Sequence, residues 1–129
     1  MKPDIVNALE ALKPEAIWSL VNNPTATSDY ECLVWQDETQ TKPTEEEVNA
    51  KITELVNAYP MRLLREERDI RIAKSDWRIV MAKETGTNIP TAWKTYRQAL
   101  RDLPASSTPK LDSSDQLDMS SVTWPTEPT

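Results

Sequence analysis

The chain has 129 residues, of which 38% are apolar and 28% charged, with a net charge of −6. That length suits one small domain with appendages and a thin core. With no His, a single Cys and a single Gly, several classes fall away: imidazole acid/base chemistry, Cys-cluster zinc sites, disulfide frameworks and Gly-rich phosphate loops. No apolar run is long enough for a signal peptide or a membrane span, so a soluble, non-enzymatic protein of a reducing compartment is expected, with no cofactor and no metal.

Charge divides the chain into three parts. Residues 1–59 carry 4 Lys against 11 acids (−7), residues 60–104 carry 10 Lys and Arg against 6 acids (+4), and residues 105–129 carry one Lys against 4 acids (−3). The division reads as an N-terminal helix, hairpin and capped helix (1–59), an Arg-rich helical region (60–104) and an extended Pro/Ser/Thr arm (105–129). An acidic half that complements a basic half of one fold accounts for the same numbers.

Asp4 is placed to cap a short helix through Leu12, with Ile5, Leu9 and Leu12 at helical spacing and Pro14 closing it. Two runs of strand formers follow, residues 16–21 and 30–35, separated by a turn-rich stretch of about eight residues. They predict a hairpin that needs a helix beneath it. Thr44 followed by Glu45, Glu46 and Glu47 is a capping-box signature. It opens a helix whose stripe is Val48, Ile52, Leu55, Val56 and Tyr59. Pro60 should break or kink the chain. A further helix over residues 61–74 takes Leu63, Leu64, Ile70, Ala73 and Trp77 as its core side. Residues 77–82 fit helix or strand equally by pattern. Asn88-Ile89-Pro90 starts the last helix, whose apolar face is Ala92, Trp93, Tyr96, Ala99, Leu100 and Leu103, and Pro104 ends it. The arm carries only isolated apolar residues. The expected fold class is α+β, mainly α: a small N-terminal hairpin with a short helix, three amphipathic helices and the arm.

Arg62, Arg65, Arg68 and Arg71 recur every three residues as a basic stripe. Glu66, Glu67 and Asp69 interleave with them, and the chain as a whole is acidic. A salt-bridge lattice therefore accounts for the stripe better than phosphate binding does. Arg97 and Arg101 stand one turn apart, suited to clamping a carboxylate or the carbonyls of another chain, or to tying the last helix to Glu45–Glu47. Of the five Trp, four lie in or near predicted elements and read as core, with Trp77 a hinge-core residue after the Arg-rich helix. Trp124, beside Pro125 on the arm, presents a large apolar face that gains by burial on its own domain or on a partner. Cys32 reads as a small buried apolar residue. Tyr96, Arg97, Arg101 and Trp124 are the candidate partner-binding or arm-docking residues, and no set of residues is arranged for catalysis.

Three blocks carry a resemblance: Met61 to Asp69 with Ile72 to Trp77, then Trp93 to Pro104, then Val122-Thr123-Trp124-Pro125. In that order they resemble the C-terminal region of tail-fibre assembly proteins and tail assembly chaperones of tailed bacteriophages, over about residues 61–125. The family pattern is an Arg-rich helix, a Ser/Thr-Asp-Trp corner, a Tyr-Arg-Gln-Ala-Leu-Arg-Asp helix and a closing Trp-Pro. Residues 79–88 depart from it in lacking a short acidic loop after the corner. The resemblance implies a non-enzymatic protein that binds a phage tail or tail-fibre subunit, to assist its assembly or to decorate it. It implies action in the host cytoplasm during assembly, or residence on the virion tail. The alternatives are a permanent minor structural component of the virion and a small regulator that binds nucleic acid or a host protein. Neither a small-molecule substrate nor a membrane is implied.

Overall fold

The computed structural model describes residues 2–129. Its elements in order are helix α1 (Ile5–Leu12), strand β1 (Trp18–Leu20), a 3-10 turn (Asp29–Cys32) and strand β2 (Leu33–Trp35), then helix α2 (Glu45–Thr85), helix α3 (Thr91–Ser106) and a second 3-10 turn (Met119–Ser121). The class is α+β, mainly α. The chain falls into two compact units, Met1–Tyr59 and Pro60–Thr129.

In the first unit, Asp4 caps α1 by accepting from the Val6 amide at 2.9 Å, and Asn7 Oδ1 accepts in return from the Asp4 amide at 3.0 Å. This reciprocal box satisfies amides that the first helical turn leaves without partners. Ile5, Ala8 and Leu9 turn inward and join Leu33 and Val48, with Trp18, Trp35 and Ile52 packed around them. The strands pair antiparallel, Trp18 opposite Trp35 and Leu20 opposite Leu33. They are shorter than the sequence suggests because residues 29–32 coil into the 3-10 turn. The Glu31 carboxylate stabilises that turn by accepting from the amide and hydroxyl of Thr27 at 2.8 and 3.0 Å. Cys32 lies in the turn and is half-buried, not the core residue its surroundings in sequence suggest.

Asp37 closes the open end of the hairpin. Its carboxylate accepts from the Ile17 amide at 2.9 Å, the Gln40 amide at 2.7 Å, and both the amide and the hydroxyl of Thr39 at 2.8 Å. These donors favour the ionised form, led by the Gln40 and Ile17 amides, and hold the pKa down at about 2. The Tyr30 hydroxyl donates to the Pro43 carbonyl at 2.7 Å. Burial raises its pKa, and the Glu45 and Glu47 carboxylates add to the rise.

Thr44 caps α2 as expected, its hydroxyl accepting from the Glu47 amide at 3.1 Å. Pro60, however, does not end the helix, which runs on to Thr85 with the proline inside it. A mid-helix proline removes one hydrogen bond and crowds the preceding turn, at a cost of about 3 kcal/mol. Apolar burial on either side outweighs that cost, with Val48 and Leu64 fully enclosed and Tyr59 only 3% exposed. Residues 77–82 are helical for the same reason, since Ala82 is buried on the Leu64 side of α2. No corner forms at Ser75-Asp76-Trp77. The helix stops instead at Gly86, whose φ of 67° is a left-handed value that suits glycine at a C-terminus. The Thr87 amide then donates to the Ala82 carbonyl at 2.9 Å.

The core side of α2 in the second unit also differs from the expected one. Ile70 and Trp77 are 50% and 53% exposed, and Ala73 is exposed. The buried positions are Leu64, Ser75 and Ala82. Seven- and eleven-residue steps join these three, so small side chains at 75 and 82 share a face with Leu64 and allow close approach. The final turn of α3 includes Pro104, which tightens the end without stopping it before Ser106. Residues 105–129 belong to the same compact unit as α3.

Candidate functional site

Helix α3 buries Trp93, Tyr96, Leu100 and Leu103, a stripe with steps of three and four residues that marks one helical face. The Trp93 and Tyr96 rings meet edge to face, 5.7 Å apart at 86°, the arrangement that aromatic quadrupoles favour. Leu103 joins Leu64 of α2 and Val122 of the arm in one cluster, and Trp93, Tyr96 and Leu100 form another. Trp124 packs against both clusters. The arm therefore lies on its own unit.

Local hydrogen bonds give the arm its path. Leu111 and Leu117 form an isolated antiparallel bridge. The turn between them is held by the Asp112 carboxylate, which accepts from the Ser114 and Gln116 amides at 2.8 and 3.0 Å. Asp118 then caps the short 3-10 turn through the Ser120 amide at 3.0 Å. The turn delivers Val122 to Leu64 and Leu103, and Trp124 two residues on. Pro/Ser/Thr composition obscured this structure, because the ordering comes from Asp side chains and two buried anchors, not from apolar periodicity.

Of the candidate residues, Tyr96 is 6% exposed and belongs to the core. Arg97 reaches from α3 to α2. Its Nη1 donates to the Ile72 carbonyl at 3.1 Å, to the Ser75 hydroxyl and to the Asp76 carboxylate at 2.8 Å. Ser75, the one buried polar residue on α2, is thereby satisfied, and its own hydroxyl donates to the Ile72 carbonyl at 2.8 Å. The carboxylate partner of Arg97 is thus Asp76. Arg101 is exposed, and its guanidinium donates to the Gln98 side chain at 2.8 Å. Gln98 donates in turn to Asp102 at 2.9 Å. Tyr96, Arg97 and Trp124 therefore serve contacts within the unit, while Arg101 faces out.

The four arginines of the basic stripe separate. Arg62 pairs with Glu66 at 3.5 Å and Arg68 with Asp69 at 2.9 Å. Arg71 pairs with Glu67 at 3.0 Å, and its guanidinium carbon sits 4.2 Å from the centre of the Trp124 ring. Arg65 is exposed. A three-residue step falls short of a full turn, so the four spread around the helix and present no common patch. Sequence reading missed Arg78, which lies 4.0 Å from the Trp93 ring centre and 4.5 Å from that of Trp77. Its adjacency to Trp77 was the available signal.

An open groove of about 690 Å³ is lined by Ile79 of α2 and, on α3, by Ala99 with Lys94, Thr95, Arg97, Gln98, Arg101 and Asp102. Among the described residues no cluster of His, Cys, Asp and Glu could hold a metal ion. No helix is long and apolar enough to cross a membrane.

The family model described as phage tail assembly chaperone protein matches residues 61–129, more than half of the chain and nearly the whole of the second unit. Neither a curated protein nor a solved structure matches the chain. The matched span holds the α2–α3 pair, the Arg97 tie and the docked Trp124, and on that match the chain belongs to the phage tail assembly chaperone family, a family of tail assembly and not of enzymes.

Proposed function

We propose that this chain binds a tail or tail-fibre subunit through its second unit, holding apolar or edge-strand surface of that subunit until it assembles. The observation that carries the reading is the open groove on α3. Its lining combines apolar surface with charged and polar side chains, a composition that takes a peptide segment or loop without demanding one sequence. Arg101 is the contact residue in that lining, its fork already oriented by Gln98 and directed outward for a carboxylate or chain carbonyls. Tyr96, Trp124 and Arg97 act behind it, the first two by seating the arm and Arg97 by fixing α3 on α2. Assembly of this kind takes place in the host cytoplasm, where tail subunits are made.

The docked arm favours a chaperone that leaves over a component anchored permanently by its arm. Val122 and Trp124 are already packed on Leu64, Leu103 and Tyr96 of the same chain, so a tail is not needed to bury them. The test is co-purification of tail and fibre subunits on the tagged chain from phage-infected cells, alongside mass spectrometry of purified particles. Capture by the wild type, loss with Arg101→Glu and absence from particles are expected. A fixed copy number on particles would instead make the chain a permanent component. Equal capture by Arg101→Glu would remove Arg101 from the interface.

A further inference from the structure

Part of the apolar side that the sequence marks on α2 in the second unit, Ile70, Ala73 and Trp77, is left uncovered by the folded chain. Ile70 and Trp77 are seven residues apart, and Ala73 and Val80 fall between and after them. This is the a/d pattern of a heptad seam. Ile70 is 50% exposed, Trp77 53% and Val80 56%, with Met81 beside them at 46%. The intramolecular contacts of α2 in this unit use the opposite side, where Leu64, Ser75 and Ala82 are buried. A preformed helix with an unburied heptad stripe gains by packing against a second helix without a folding cost of its own.

The charges beside the stripe indicate which helix. In heptad terms Arg62 and Asp69 stand at g, and Glu67 and Lys74 at e. In a parallel pair, each g residue meets the e residue five positions on in the other helix. A second copy of this chain then sets Asp69 against Lys74 beside the stripe, and Arg62 against Glu67 at its N-terminal edge, opposite charges at both steps. An antiparallel pairing with Ala73 opposite Trp77 sets Lys74 beside Lys74 and Asp76 beside Asp76 of the second copy, with only Asp69 and Lys83 opposite in sign, whereas the parallel register has no like-charge e–g step. The geometry points to a second copy of this chain as the occupant: α2 self-associates in parallel and in register through Ile70, Ala73, Trp77 and Val80.

The seam is short, roughly 16 Å from Ile70 to Met81 at the helical rise. Glu66, at the next d position, meets its own copy and ends it on that side. Arg62 lies within 3.5 Å of Glu66 in the same chain and offsets part of that repulsion. A weak, reversible and concentration-dependent dimer follows from so small an apolar contact. This surface is separate from the α3 groove, so binding of a tail subunit and self-association stand or fall independently.

Sedimentation equilibrium of the full chain tests the proposal. The wild type should approach a dimer mass with rising concentration. Val80→Glu should weaken association at least about tenfold while circular dichroism stays unchanged. Asp69→Lys and Lys74→Asp should each weaken it, and the double exchange should restore it. In a Cys32→Ser background, Ile70→Cys and Val80→Cys should each form an intermolecular disulfide on oxidation, since parallel a–a and d–d layers bring like residues together. A chain that stays monomeric throughout, or a dimer indifferent to Val80→Glu, overturns the proposal. Failure of both cysteine variants to cross-link while the dimer persists overturns the parallel register. If the wild type is monomeric and Val80→Glu abolishes capture of a tail subunit, the stripe is a tail-binding face instead.

Discussion

The Arg71 guanidinium lies over the Trp124 ring at 4.2 Å from its centre while its Nε donates to the Glu67 carboxylate at 3.0 Å. One α2 side chain thus holds the closing segment of the arm and is itself held in place. The ring is apolar ballast against two clusters, yet its Nε1 is buried with no acceptor. An unmet donor of this kind costs about 1–3 kcal/mol, so the indole is retained for its area and its face.

Trp124→Ala should therefore lower stability by about 2–4 kcal/mol through lost burial and release residues 107–129 to proteolysis. Helicity of α2 and α3 should change little. Trp124→Phe keeps a ring under Arg71 and removes the unmet N–H, so it should cost less than about 1.5 kcal/mol. Limited proteolysis with mass spectrometry, beside urea denaturation, distinguishes the two. Loss of most helical signal in Trp124→Ala would mean that α2 and α3 need the arm to fold.

Arg97→Lys should destabilise by about 1–3 kcal/mol despite keeping the charge. The lysine side chain is one bond shorter, so its ammonium falls short of the point where Nη1 meets the Ile72 carbonyl, Ser75 and Asp76. Asp76→Asn should cost under about 1 kcal/mol, because the Asp76 side chain is 57% exposed and water replaces the pair. Thermal melts of the two variants give the ranking directly, and an equal or reversed order would mean that the ion pair, not the buried hydrogen bonds, is the working contact.

Pro60→Ala should raise stability by about 1–3 kcal/mol. It restores an amide inside α2 and relieves crowding with the preceding turn. Urea titration followed by helical ellipticity is the measurement, and an unchanged midpoint would show that the helix has already absorbed the proline without strain.

Asp37 has a pH signature. Its folded-state pKa is about 2, below the ordinary carboxylate value near ~4. Ionised Asp37 therefore stabilises the hairpin fully above about pH 4, and that contribution is lost as the pH falls through about 2. An NMR titration should find the Ile17 and Gln40 amide shifts moving together with the Asp37 carboxyl in that window, and Asp37→Asn should abolish the shared transition.

Local chemistry was legible in the sequence wherever one residue dictates its neighbours. The Asp4 and Thr44 caps, the hairpin and the α3 stripe of Trp93, Tyr96, Leu100 and Leu103 all follow from side-chain type and spacing. Less legible was anything decided by competition. At Pro60 the local penalty is real, but burial of Tyr59 and Leu64 exceeds it. In the second-unit part of α2 the apolar periodicity through Ile70 and Trp77 marks an exposed face, whereas the interior is set by Leu64 with Ser75 and Ala82, small residues that a hydrophobicity count overlooks. The α3 site was only half-legible. Arg97 was singled out, but its partners at Ile72, Ser75 and Asp76 are brought near by the pairing of helices and not by any sequence spacing. The contact of Arg78 with Trp93 is hidden for the same reason, although its adjacency to Trp77 is plain in the sequence.

The union of Leu64, Leu103 and Val122 has a bearing on how the protein is made. These residues come from well-separated parts of the chain, and Val122 leaves the ribosome after the other two. A nascent chain that stops short of residues 122–124 leaves Leu64 and Leu103 uncovered and Tyr96 without its neighbour. Translation must thus run past Trp124 before the second unit can close. A product cut short of Val122 would keep that apolar surface open to solvent and to proteases.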